Sequence, residues 1–240
     1  MNLRSEASRT YLSYSWWLLE PLLLMGIYFI VFEKILNSGG DNFIAFLLIG
    51  IIHWLWFSKT ISNAAMSIVQ GRGLIAQIDI PKIFFPLVIV VQDFLKLIIA
   101  LVLLVVLLLL NGIYPSITWV AWIPVLLCQL LLVSSLAIMA SIIVPFVPDL
   151  RILITTGLQM LMFISGVFYS HEVIPIKFQE LFFLNPVAKL LYFYREILMY
   201  QHWPNWMELG LLFLFIATFL SIVIFISSRI DHTLSRLVLG

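Results

Sequence analysis

Long apolar runs constrain this chain more than any motif in it. Crossing about 30 Å of hydrocarbon takes about twenty mainly apolar residues in a helix, because lipid offers no partner for an unbonded backbone N–H or C=O. Six stretches meet that requirement: residues 16–36, 43–69, 84–110, 119–144, 150–169 and 209–228. Of 240 residues, 63% are hydrophobic and 10% are charged, and the mean hydropathy is +1.12. A soluble domain keeps roughly a quarter of its residues charged to cover its surface, so the expected solvent is lipid. A net charge of +1 argues against a nucleic-acid binder, which needs a basic surface to displace counterions from phosphates. One cysteine, Cys128, excludes an intrachain disulfide and a cysteine-clustered metal site.

The first run starts at Trp16 and has no small-residue cleavage site, so it reads as a retained span preceded by a short, partly polar interfacial segment. Orientation follows the cations between spans. Arg4, Arg9, Lys59, Arg72, Lys82, Lys96, Arg151, Arg229 and Arg236 fall on one side, and Lys34, Lys177, Lys189 and Arg195 on the other. Both termini are therefore expected in the cytoplasm.

The connection 170–208 is too polar to span and too apolar for a solvated loop. Asn185-Pro186 reads as a helix start, with Asn capping and Pro at the first helical position, where its missing N–H costs nothing. Two short helices, 175–183 and 186–200, dipping into the outer leaflet and returning would explain the composition. Re-entrant backbone survives only where protein or a polar cavity covers it. The alternative is an amphipathic helix lying in the interface.

Polar groups at membrane depth are the functional suspects. Glu20, just before Pro21, sits near a helix N-terminus, where the dipole favours a carboxylate. His53 reads as a hydrogen bond to a neighbouring helix, with proton coupling as the alternative. No Ser/His/Asp or Cys/His arrangement and no paired carboxylates on one span suggest catalysis. His171, Glu172 and His202 match no metal-ligand spacing, so no metal is expected. No GxxxxGK[ST] phosphate loop occurs, so work that needs nucleotide falls to another chain. The chain does not read as an enzyme in its own right. Among its aromatics, Tyr28, Trp54, Trp56, Phe57, Phe163, Phe168 and Tyr169 are candidates to line a conduit, since sugar rings have apolar C–H faces that stack on aromatic rings. The alternative is the interfacial aromatic belt.

In order along the chain, several runs resemble the type-2 ATP-binding-cassette permeases that export bacterial polysaccharides such as O-antigen, capsule and teichoic acid. Trp16 to Leu23 with Tyr28 and Val31-Phe32 is similar to the family's W-x-L-L-x-P-L-L…Y…V-F opening, and Gly50 to Ser58 to its G-x-x-x-W-x-F-F-S stretch. Gly73-Leu74-Ile75 through Ile80-Pro81-Lys82 resembles the cytoplasmic loop that docks on the ATPase. Pro148-Asp149-Leu150 stands where an Arg-Asp pair is frequent. Ser165 to Ser170, Ile174-Pro175, Asn185-Pro186 and Tyr194-Arg195 look like the S-P-V-x-Y-S, I-P, N-P and Y-R signatures, in register.

The resemblance implies an all-α membrane protein of six spans, a single permease domain over 1–240 with no nucleotide-binding domain, in the bacterial inner membrane. Its partners would be a second copy of itself, two copies of a cytoplasmic ATPase that carries ATP and magnesium, membrane lipid and a lipid-linked glycan. ATPase coupling would fall to Arg72, Leu74, Ile75, Asp79, Pro81 and Lys82. An outer re-entrant gate would use Gly166, Pro175, Asn185, Pro186, Tyr194 and Arg195. The chain departs from the family pattern at Glu20, His53, Gly166 and Ala76-Gln77. Gly166, where Pro is usual, is expected to loosen the outer end of span five, and Gly166→Pro to change transport without blocking assembly. A small-drug or lipid exporter of the same fold, and a membrane-embedded polysaccharide polymerase or glycosyl-lipid transferase, are the competing readings.

Overall fold

A computed structural model describes residues 16–35 and 42–239, so the expected interfacial segment 1–15 lies outside the described residues. Those residues form helices and connecting turns, with no strand among them. In chain order the α-helices are α1 (Trp16–Phe29), α2 (Phe43–Ala65), α3 (Ser67–Gln70), α4 (Arg72–Ile75), α5 (Phe84–Leu110), α6 (Trp122–Ile143), α7 (Leu150–Ile164), α8 (Ile176–Phe183), α9 (Pro186–Leu198) and α10 (Trp206–Leu239). A π-helical segment, Ile30–Ile35, prolongs α1, and a 3₁₀ segment, Ile117–Ala121, leads into α6.

Among the described residues, four helices are long and apolar enough to cross a membrane: Phe43–Ala65, Phe84–Leu110, Ile117–Ile143 and Trp206–Leu234. The chain is a multi-pass membrane protein. The run 16–35 is helical but divided into α and π segments. The expected fifth span, 150–169, contains only the 15-residue α7, roughly 22 Å long at 1.5 Å per residue. It stops at Ile164 because Gly166 turns to φ +69°, a left-handed conformation that ends a helix and that glycine adopts without steric cost. Conversely, α10 has 34 residues and extends past both ends of its expected span.

Burial differs sharply among the spans. The apolar window of α2 is 78% buried inside the protein, against 28% for α5 and 17% for α10. Side chains such as Val102, Leu211, Phe215 and Phe225 stay exposed, which costs nothing where the solvent is hydrocarbon.

Two compact units divide the chain: Met1–Trp56, Phe94–Trp122 and Met162–Trp203 form one, and Phe57–Asp93, Ile123–Leu161 and Pro204–Gly240 the other. In the first, α9 supplies much of the core through Val187, Leu190, Leu191, Phe193, Tyr194, Ile197 and Leu198. Lys189, Tyr192 and Glu196, three and four residues apart, share its less buried stripe. In the second, Ile68 and Ile75 pack with Ile138, Ile142, Val223 and Leu234.

Candidate functional site

The first unit is organised around one buried cation. Arg195, on α9, is 6% exposed. Its Nη1 donates to the Gly166 carbonyl at 2.8 Å and its Nη2 to the Val167 carbonyl at 2.9 Å. Its guanidinium lies 3.4 Å from the centre of the Phe46 ring, a cation–π contact that supplies negative potential to the buried charge. Burial pushes its pKa down to about 9, still high enough to keep the charge at neutral pH. Gly50 leaves room for this fork: a Cβ there would come within 2.8 Å of Arg195 Nη2 and 2.9 Å of the Val167 carbonyl.

Asn185 and Pro186 open α9 as the sequence predicts. The Asn185 side chain accepts from the Val187 N–H at 3.0 Å, and its amide donates to Ser165 Oγ at 2.9 Å. Pro175 precedes α8 as its N-cap residue, and Gln179 Nε2 ties that turn by donating to the His171 and Ile174 carbonyls at 3.3 and 3.0 Å. Tyr194 is fully buried and stacks on His53 with ring centres 3.8 Å apart. The Ile49 carbonyl at 2.7 Å from His53 Nδ1 is an acceptor only, so the proton sits on Nδ1, and Nε2 is left to accept the Trp122 indole N–H at 3.3 Å. Five of the six expected gate residues, Gly166, Asn185, Pro186, Tyr194 and Arg195, thus bear on one turn and the α9 helix that holds it. Gly166 takes a positive φ in that turn, and a Cβ there would come within 2.8 Å of the Phe182 ring.

The seven aromatics expected to line a conduit have different immediate surroundings. Phe168 gathers Tyr28, Phe32 and Phe163 at 4.2, 5.5 and 5.5 Å between ring centres. Tyr169 donates its hydroxyl to the Phe163 carbonyl at 2.8 Å. Trp54 and Trp56 are buried, Trp56 against Phe94 at 5.8 Å. Phe57 belongs to the second unit, where it lines an apolar cavity of about 330 Å³ with Ile61, Met139, Ile154 and Leu158. Phe163 is exposed, while Phe168 is core.

The first unit also holds a cavity of about 370 Å³ that brings together His171, Glu172 and His202 with Tyr192, Glu196 and Tyr200. His202 Nδ1 lies 2.9 Å from Glu196 Oε2. Among the described residues, no three His, Cys, Asp or Glu side chains cluster so as to hold a metal.

In the second unit, the segment expected to meet an ATPase divides into outward and inward residues. Arg72, Leu74, Asp79 and Pro81 are exposed. Ile75 anchors the segment in the core, and Gly71 is required because a Cβ there would overlap the Phe85 ring. Lys82 is 1% exposed. Its Nζ pairs with Asp231 Oδ2 at 3.1 Å and Asp79 Oδ1 at 3.3 Å, and its backbone N–H donates to Asp231 Oδ1 at 2.7 Å. One carboxylate on α10 therefore grips both the main chain and the side chain of a residue 149 positions away. Nothing in the sequence singles out Asp231, because no local spacing links it to Lys82. Phe46 was equally silent, as one phenylalanine among 19.

The model of the ABC-2 type transporter family matches residues 4–199. The chain is similar to two proteins of Klebsiella pneumoniae, each called O-antigen export system permease protein RfbA. One is 26% identical over 199 residues, 82% of this chain and 77% of the relative. The other is 26% identical over 215 residues, 88% of this chain and 83% of the relative. A protein of Myxococcus xanthus with the same name is 28% identical over 203 residues, 83% of this chain and 77% of the relative.

Proposed function

The chain belongs to the ABC-2 type transporter family, and from that premise we propose that it is the permease subunit of an exporter that moves a lipid-linked polysaccharide of the O-antigen kind across the bacterial inner membrane. The observation that carries this reading is the similarity to O-antigen export permeases over 82–88% of the chain. The energy source would be ATP, with its magnesium, on two copies of a separate ATPase, since this chain has no phosphate-binding loop. Two copies of the permease would form the path between them.

The reading assigns the 70–82 segment to the cytoplasmic side. The second unit carries Lys59, Arg72, Lys82, Arg151, Arg229 and Arg236, the excess of cations that marks a cytoplasmic face. Exposed Arg72, Leu74, Asp79 and Pro81 would meet the ATPase, while Ile75 and Lys82 pass its push to the core and to α10. The 16–35 helical run and α7 would complete six crossings with both termini inside. The α8–α9 pair would enter the outer leaflet and return, with the Arg195-braced turn as part of the gate. Tyr28, Trp54, Trp56, Phe57, Phe163, Phe168 and Tyr169 would line or back the glycan path.

The test is to co-express the chain with the ATPase encoded beside it, purify the complex, and measure ATP hydrolysis with lipid-linked glycan from the same cells. Stimulation by the glycan-lipid and silence from small drugs is expected. A stable complex stimulated only by small amphiphiles would make it a drug or lipid exporter, and failure to bind any ATPase would overturn the reading.

A further inference from the structure

We propose that the 370 Å³ cavity of the first unit binds one uncharged pyranose unit, with Glu172 and Glu196 accepting from its hydroxyls and Tyr192 packing on its apolar face. The export reading supplies only the source of that sugar. The volume lies at the lower end of small-ligand pockets, which run from about 300 to 1,000 Å³, and suits one ring rather than a folded oligosaccharide.

The lining selects the ligand class. Tyr192 is held from two sides, edge-on to His171 at 5.1 Å and to Phe183 at 5.3 Å between ring centres, so its ring is fixed before anything binds. A pre-set aromatic face avoids the ordering cost of binding. Glu196 is likewise oriented by His202 at 2.9 Å. Carboxylates form short, charge-assisted hydrogen bonds with hydroxyl donors, and neighbouring hydroxyls of a sugar ring present such donors in pairs. Burial and the neighbouring Glu172 and Glu196 raise the pKa of Tyr200, so its phenol keeps the proton it would donate to a ring or hydroxyl oxygen.

Other classes fit worse. An anion such as phosphate or a uronate would face two carboxylates. Arg195, the buried cation in this cavity's lining, has already committed both Nη groups to the Gly166 and Val167 carbonyls and a flat face to Phe46. A metal ion would find no cluster of three His, Cys, Asp or Glu ligands among the described residues. A purely apolar ligand would strip water from Glu172 and Glu196 without replacing its hydrogen bonds.

The full-length chain in detergent micelles is titrated with the methyl glycosides of mannose, galactose and N-acetylglucosamine, and with glucuronate and inorganic phosphate, by saturation-transfer difference NMR. Binding of at least one neutral glycoside is expected, weakened about tenfold or more by Tyr192→Ala and by Glu172→Gln, as loss of one good polar or packing contact implies. Lys177→Ala, outside the cavity, is expected to bind as the unaltered chain does. Glu172 is exposed, so its exchange leaves folding intact and keeps the test decisive if Tyr192→Ala does not fold. Silence from all three glycosides, undiminished binding by Glu172→Gln, or tighter binding of glucuronate or phosphate would overturn the proposal. The readout needs no ATPase: sugar binding without glycan-stimulated hydrolysis would sink the export reading alone, and the reverse result would sink the pocket alone.

Discussion

Among the described residues, each unit contains one buried Lys or Arg, and the two are neutralised in different ways. Arg195 is held by two neighbouring backbone carbonyls and an aromatic face. Lys82 is held by two carboxylates, one of them on a helix 149 residues further along. A guanidinium is a flat fork that can bridge adjacent carbonyls and stack at the same time, whereas an ammonium is a point charge that best answers another charge. The lesson is that the first arrangement fixes a local shape, and the second joins distant segments through a bond that a change of charge can weaken.

The largest expected effect comes from removing the fork. Arg195→Ala leaves two buried carbonyls without donors and should cost on the order of 4 kcal/mol, read as a lower midpoint in thermal unfolding followed by size exclusion. Arg195→Lys should recover little of it, because one ammonium cannot bridge both carbonyls and cover Phe46. Full recovery by Lys would erase the distinction between the two sites. Next is Gly166→Pro: proline is locked near φ −65° where the chain needs +69°, so about 3 kcal/mol should be lost. Assembly yield should fall too, whereas the sequence alone suggests a change in transport without a block in assembly.

At the other site, Asp231→Asn keeps an acceptor for the Lys82 N–H but removes the charge facing its ammonium. Asp231 is partly exposed, so the stability loss should be only about 1–2 kcal/mol. The sharper readout is ATP hydrolysis by the complex. If Lys82 and Asp231 pass motion from the 70–82 segment to α10, glycan stimulation should drop several-fold while ATPase binding persists; unchanged stimulation would limit the pair to a structural role. The smallest effect belongs to Asn185→Ala, which removes the α9 cap and should cost about 1 kcal/mol, measurable as a modest shift in the same unfolding midpoint.

Particular elements show why some features were legible beforehand and others were not. Asn185-Pro186 announced the start of α9 because capping is decided by residues within one turn of each other. The run 84–110 coincides with α5 because an uninterrupted apolar stretch between polar ends leaves lipid-exposed backbone no alternative to a helix. The run 150–169 is helical only as far as Ile164, because hydropathy continues smoothly through Ser165–Tyr169 while the backbone turns away at Gly166 and hands its carbonyls to Arg195. Aromatic content points to a conduit but does not tell like side chains apart: they fall in a cluster on Phe168, in buried core and in an apolar cavity of the second unit.

By itself the sequence determined the solvent, the helical class, the family and the local starts of helices, since each depends on composition or on neighbours a few residues apart. Tertiary structure alone decided that α7 ends early, that both Nη groups of Arg195 go to backbone carbonyls, that Asp231 holds Lys82, and that Glu172, Tyr192 and Glu196 face one cavity. Those features depend on groups brought together across tens to more than a hundred residues, and hydropathy, which records what each residue prefers as solvent, carries no information about which partner it meets.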